Sequence, residues 1–151
     1  MREPVETPAA GASECPVMVF RTLAQARAAL AAAAEAGAPV ILRSAPGAAA
    51  HAGVGYLKAI IERARAAYPT ATARAIIDCG ADAGTALAAL RAGWTMIGFS
   101  GDDAVAAKLA DIAGQSGAVL VAPTSDDRLV DLAANADPGA ACRDALVTPG
   151  R

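Results

Sequence analysis

Ala75-Ile76-Ile77-Asp78-Cys79-Gly80 is the stretch on which the reading of this chain turns. An apolar, β-branched run gives way to a carboxylate, a thiol and a glycine, and a helical pattern begins directly afterwards. A short continuous apolar run of this kind belongs to a strand buried on both faces, as in a parallel sheet. Active-site residues of parallel α/β proteins gather at the carboxyl ends of such strands. Asp78 is therefore a candidate acid–base group, and Cys79 a weaker candidate whose thiol could be activated beside a helix N-terminus. Each also has a structural reading. Asp78 can bind backbone N–H groups of the next turn, and Cys79 can be a small buried packing residue.

The same alternation extends in both directions. Residues 16–20, 39–42, 73–77, 95–99 and 118–122 read as five short strands. Thr22 can cap a helix with Leu23, Ala26, Leu30 and Ala33 on one face, closed by Gly37. After a small-residue loop over 44–55, Leu57, Ile60, Ile61, Ala64 and Tyr68 mark a second helical face, which Pro69 ends. Residues 82–92 form a third helix closed by Gly93, and Asp102 or Asp103 caps a fourth with Val105, Leu109 and Ile112 inward. Capping accounts for both of those aspartates, and Trp94 is expected to be packing. Ser125 is expected to cap a further helix carrying Leu129 and Leu132, with Asp126 and Asp127 at its positive end. Residues 144–148 are expected to be a marginal sixth strand.

Apolar strands each followed by a helix predict an α/β fold with a parallel sheet. Two architectures fit: five or six parallel strands in a partial (β/α) TIM-barrel-like arrangement, or a flavodoxin-like doubly wound sheet. A complete barrel takes about 250 residues, and periodicity does not choose between the two. The expected organisation is a flexible N-terminal segment over 1–15, one domain over 16–148 and a tail over 149–151.

Composition narrows the function classes. Hydrophobic residues make up 55% of the chain but aromatics only 3%, so alanine, valine, leucine and isoleucine must fill the core. A net charge of −2 without a basic stripe gives nucleic acid no footing. No apolar stretch reaches the roughly 18 residues that span a bilayer, so no membrane role is expected. The three cysteines, Cys15, Cys79 and Cys142, contain no CxxC pair. The N-terminus is acidic and proline-punctuated, unlike a secretory signal. A reduced, cytoplasmic protein is the expectation.

Longer strings carry a family resemblance. Ala38-Pro39-Val40-Ile41-Leu42-Arg43-Ser44 is followed by Gly47-Ala48, Ala52-Gly53 and Tyr68-Pro69. Then come Ile77-Asp78-Cys79-Gly80, Ala89-Leu90-Arg91-Ala92-Gly93-Trp94-Thr95-Met96-Ile97 and the turn Ser100-Gly101-Asp102. In this order they resemble the class II (zinc-dependent) fructose-bisphosphate aldolases, and Thr124-Ser125-Asp126-Asp127 and Asp144-Ala145-Leu146-Val147 extend the resemblance, which covers roughly 17–148. It implies that Asp78 stands where the family's aspartate handles a proton at a substrate hydroxyl. The next family position is a zinc-ligating histidine, and here it is Cys79. A glutamate that supports the metal site has no counterpart in Val121-Ala122-Pro123, and the remaining histidines are expected from later strands than this chain contains. His51, the only histidine, lies in the loop after the second strand.

Zinc chemistry of this kind needs about three protein ligands and an open position. No metal ligand set and no cofactor are therefore expected, with zinc implied only if the protein is an enzyme after all. Ser44 and Gly47 resemble the family's substrate-contacting loop, whose backbone amides could hold an anion. Arg43 could meet a phosphate or form a surface ion pair, and His51 is a loop histidine or a member of the same ligand site. Neither GxGxxG nor GxxxxGK[ST] occurs, so nothing indicates a nucleotide.

The leading functional reading is a shortened, degenerate aldolase-like protein that acts by binding or assembly, with a phosphorylated small molecule as the implied ligand class. A homo-oligomer is expected, because an incomplete barrel exposes strand edges. Two alternatives stand beside it. One is an active aldolase or lyase on a sugar phosphate whose ligands are completed by another subunit. The other is a flavodoxin-like small-ligand or regulatory module.

Overall fold

The computed structural model describes residues 15–124 and 128–147. Six strands alternate with helices: β1 (Val17–Phe20), α1 (Leu23–Ala36), β2 (Val40–Ser44), α2 (Ala48–Ala52), α3 (Val54–Ala67) and β3 (Ala73–Asp78). There follow α4 (Ala83–Arg91), β4 (Met96–Gly98), α5 (Asp103–Gln115), β5 (Val119–Val121), β6 (Leu129–Asp131), a 3₁₀ turn (Leu132–Ala134) and α6 (Pro138–Val147). The sheet is entirely parallel, in the order β5-β4-β3-β2-β1-β6.

That order separates the two expected architectures. Each of the first five strands lies beside its predecessor, and right-handed crossovers then place every helix on one face of the sheet. The helix contacts agree: α6 packs on α1, α1 on α3, α3 on α4, and α4 on α5. A doubly wound sheet instead reverses direction and carries helices on both faces. The flavodoxin-like alternative is thereby removed, and the open sheet fits a partial TIM-barrel-like arrangement.

Strand alternation gives the sheet two different faces. Met18, Phe20, Leu42, Ile77 and Ile97 are 0% exposed and join Leu30, Leu57 and Leu109 in the core under the helices. Alanines at 26, 29 and 33 let α1 lie close on this layer. Parallel register sets Val19 beside Arg43 and Arg43 beside Ile76, so these three share the opposite, inner face. All three are buried as well, which is why these strands read as continuous apolar runs.

Local signals explain the helix starts. Thr22 accepts a hydrogen bond from the Gln25 N–H, and the Gln25 side chain reaches back to the Thr22 N–H, a complete capping box. Asp82 and Asp102 cap α4 and α5 through their carboxylates.

Two expectations past residue 124 fail. Leu129 belongs to strand β6 rather than to a helix, and Leu132 to a single 3₁₀ turn. Leu129 and Val130 pair in parallel with β1, which would otherwise be the edge of the sheet. β6 follows β5 in the chain but lies at the opposite edge of the sheet, beside β1. Residues 144–147 lie in α6 rather than in a sixth strand. Asp137 accepts the Ala140 N–H, Pro138 opens the first turn, and Cys142 packs at 0% exposure. The proposed capping residues Ser125, Asp126 and Asp127 lie outside the described residues. So do the expected flexible segment, apart from Cys15, and the tail 149–151. A short helix, α2, also occupies the loop expected over 44–55.

Candidate functional site

The carboxyl ends of β2 and β3 meet at Asp78. Its Oδ2 accepts hydrogen bonds from Arg43 Nε at 3.1 Å and Nη2 at 3.0 Å. Its Oδ1 accepts from the backbone N–H groups of Gly47 at 3.0 Å and Gly80 at 2.9 Å. Its own N–H donates to Ser44 Oγ at 2.8 Å. Both glycines are left-handed, with φ of 67° at Gly47 and 57° at Gly80, a conformation that only glycine takes without strain. A Cβ at Gly80 would also stand 3.6 Å from the Gly47 Cα. The two turns thus approach closely and aim their amides at one carboxylate oxygen.

Arg43 reaches further. Its Nη1 donates to the Ala122 carbonyl at 3.3 Å and to Thr124 Oγ1 at 3.0 Å, both just past β5. A single side chain on β2 therefore spans the inner face of the curled sheet to the far side of β4. The Arg43 and Asp78 side chains are only 6% and 14% exposed. The expected surface ion pair is in fact a buried one. Above it opens a cavity of about 250 Å3, lined by residues that include Val19, Ser44, Pro46, Ser100, Thr124 and Leu129. Strands from both ends of the sheet contribute to it, as the mouth of a partial barrel should.

Four of the residues singled out in the sequence, Arg43, Ser44, Gly47 and Asp78, come together. Two do not. His51 is exposed on α2 and is not among the residues lining the cavity. Cys79 points to the helix side of the sheet, 1% exposed, in the apolar core. Burial first, then the negative charges of Asp78 and Asp82, push its thiol up from 9.0 to about 12. Burial thus favours the protonated thiol at Cys79, whereas the activated-thiolate reading calls for a lowered pKa.

Thr124, the Ala122 carbonyl and Gly98 were missed. A Cβ on Gly98 would lie 2.6 Å from Arg43 Nη2, so this glycine makes room for the guanidinium. An isolated glycine inside a strand is the signal that could have found it. Thr124 sits in a loop with no comparable mark.

The donor set does not suit zinc. Among the described residues, no group of three His, Cys, Asp or Glu side chains is placed to hold a metal ion. Asp78 is saturated by internal donors, Cys79 is buried on the other face, and His51 is exposed on α2, outside the cavity lining. Likewise, among the described residues no helix is long and apolar enough to cross a membrane.

A comparison with curated proteins gave no match. The family model for fructose-bisphosphate aldolase class-II matches residues 1–105, the stretch that carries β1 to β4, Arg43, Ser44, Gly47 and Asp78. Both mistaken element assignments lie beyond its end. By this match over more than half its length, with a parallel sheet wound in barrel order, the chain belongs to the class II fructose-bisphosphate aldolase family.

Proposed function

We propose that this family member acts by binding a small polar molecule in the strand-end cavity and by assembling with copies of itself, rather than by aldol cleavage. The state of Asp78 carries the reading. A carboxylate has about four acceptor positions, and Arg43, Gly47 and Gly80 fill four on this one. A substrate hydroxyl could reach it only by displacing the guanidinium or a glycine amide. A general base must instead present a free position within hydrogen-bond reach of the proton it takes.

The groups left to a ligand are hydroxyls over an apolar floor. Ser44 Oγ and Thr124 Oγ1 each accept one internal hydrogen bond and keep a proton to donate. Ser100, Val19, Pro46, Pro123 and Leu129 are also among the lining residues. Neutral, hydroxyl-bearing molecules suit this surface better than the phosphorylated ligand that the resemblance implies, because the amides and guanidinium that would hold a phosphate already hold Asp78.

Assembly is supported by the edge position of β5, whose outer side pairs with no strand among the described residues. Val119 is 44% exposed there, and Ile112 on the adjoining α5, expected to face inward, is instead 40% exposed. Unprotected edge strands with apolar side chains favour pairing with another chain.

The test joins thermal-shift screening of neutral polyols and phosphate esters with an assay of fructose 1,6-bisphosphate cleavage, with and without zinc. Stabilisation by polyols and no cleavage in either condition are expected. Zinc-dependent cleavage by the oligomer would replace this reading with that of a lyase whose ligands are shared between subunits.

A further inference from the structure

We infer that Arg43 is the resident cation of this site: its guanidinium, held inside the fold, is the positive partner of Asp78 and leaves no coordination position there for a divalent metal ion. This goes beyond the ligand and the assembly proposed above and depends on neither.

Four parts of the sheet are adapted to a guanidinium. β2 supplies the side chain, directed inward in the row that contains Val19 and Ile76. β3 supplies the counter-charge, at 3.0 and 3.1 Å. β4 supplies space, since any side chain at Gly98 would intrude on Nη2. The segment after β5 supplies two neutral acceptors, the Ala122 carbonyl and Thr124 Oγ1. A buried charge is tolerated when it is paired and hydrogen-bonded; Arg43 is paired with Asp78, and each of its three guanidinium nitrogens has an acceptor. Among the described residues no buried side-chain nitrogen or oxygen lacks a hydrogen-bond partner.

The consequences for a metal are direct. A guanidinium stays protonated at every ordinary pH and has no lone pair to offer. It therefore neutralises Asp78 without creating a coordination position. A divalent ion approaching Oδ2 would have to break the two hydrogen bonds that Arg43 donates to it or remain beside a like charge in a poorly solvated interior. With one ligand at most on offer, neither course is favourable.

The experiment reads metal content, not turnover. The full chain is dialysed against zinc, then against metal-free buffer, and bound metal is counted per chain; cobalt is substituted in parallel, because its visible absorption reports coordination. The expected results are zinc well below one per chain, no cobalt spectrum of a protein-bound ion, and a melting temperature unmoved by chelator. One tightly held zinc per wild-type chain that disappears in Asp78→Asn would overturn the inference. A second measurement uses the near-isosteric Arg43→Met, which removes the charge but keeps much of the volume. It should melt well below the wild type and regain part of the loss when Asp78→Asn is added. Wild-type stability in Arg43→Met would equally defeat the claim, and if that variant does not fold, the wild-type metal count still decides.

Discussion

Gly98 and Arg43 are complementary across one strand: the missing side chain of the first is the space in which the guanidinium of the second lies, with only 2.6 Å between Nη2 and the Cβ that alanine would add. The guanidinium is the end of a flexible side chain, but four hydrogen bonds hold it in place. Gly98→Ala should therefore behave as overpacking and cost about 1–3 kcal/mol in urea unfolding. In an Arg43→Ala background the same change should be nearly neutral, since the clashing atoms are gone. Equal costs in both backgrounds would show that the glycine is needed for another reason.

The buried pair gives a second prediction. Removing one member leaves an uncompensated charge in the interior, so Arg43→Met or Asp78→Asn should each cost roughly 3–5 kcal/mol. The double substitution should cost clearly less than the sum, because neither charge is then stranded. A double-mutant cycle by chemical denaturation measures this. Strict additivity would mean that the two residues act independently despite their 3.0 Å separation.

The Cys79 thiol predicts alkaline sensitivity. In the unfolded chain it releases its proton near 9.0, whereas in the folded protein it holds the proton to about 12. Between these values the folded state binds more protons than the unfolded state, so stability falls as pH rises through that window. The slope contributed by this thiol approaches about 1.4 kcal/mol per pH unit, and its contribution is complete below the lower value. Cys142, raised to about 11 by burial, adds a loss of the same sign. Unfolding measured at about pH 8 and about pH 10 should thus show a smaller drop in Cys79→Ala than in the wild type. Identical drops would contradict the assignment.

The β5 edge predicts a change in mass. Val119 lies exposed on the outermost strand, and lysine at such a position discourages strand addition. Val119→Lys should reduce the native mass seen by light scattering while leaving the melting curve of the isolated chain within about 0.5 kcal/mol, as for other surface substitutions. An oligomer that persists unchanged would place the contact elsewhere.

Much of the fold was readable before any coordinates. Strands β1 to β5 and helices α1, α3, α4 and α5 appear where apolar runs and helical spacing put them, displaced by a residue or two. Capping residues did the rest: Thr22 and Asp102 act through their own side chains within a few residues, and the structure adds Asp82 as the cap of α4. The failures lie where the signal is not local. Leu129 and Val130 suit a helix or a strand equally, and the open edge of β1 decided between them. Residues 144–147 contain an apolar pair that could serve a strand, but Asp137 and Pro138 upstream start a helix that carries through them. At the site, Asp78, Ser44 and Gly47 were found because strand ends and glycine turns are visible in the chain. Thr124 was not, because it joins the cluster only through Arg43.

The amino-acid order alone determined the alternation of buried strands with helices, the family strings and the position of Asp78 at a strand's end. These depend on periodicity and on neighbours a few residues apart. Tertiary structure decided the winding order of the sheet, the inward course of Arg43 and the burial of Cys79. An arginine after an apolar run looks the same whether its charge meets water or the interior. Only the folded sheet brings it to a carboxylate 35 residues away and to a carbonyl 79 residues away, and those contacts make the buried charge stable.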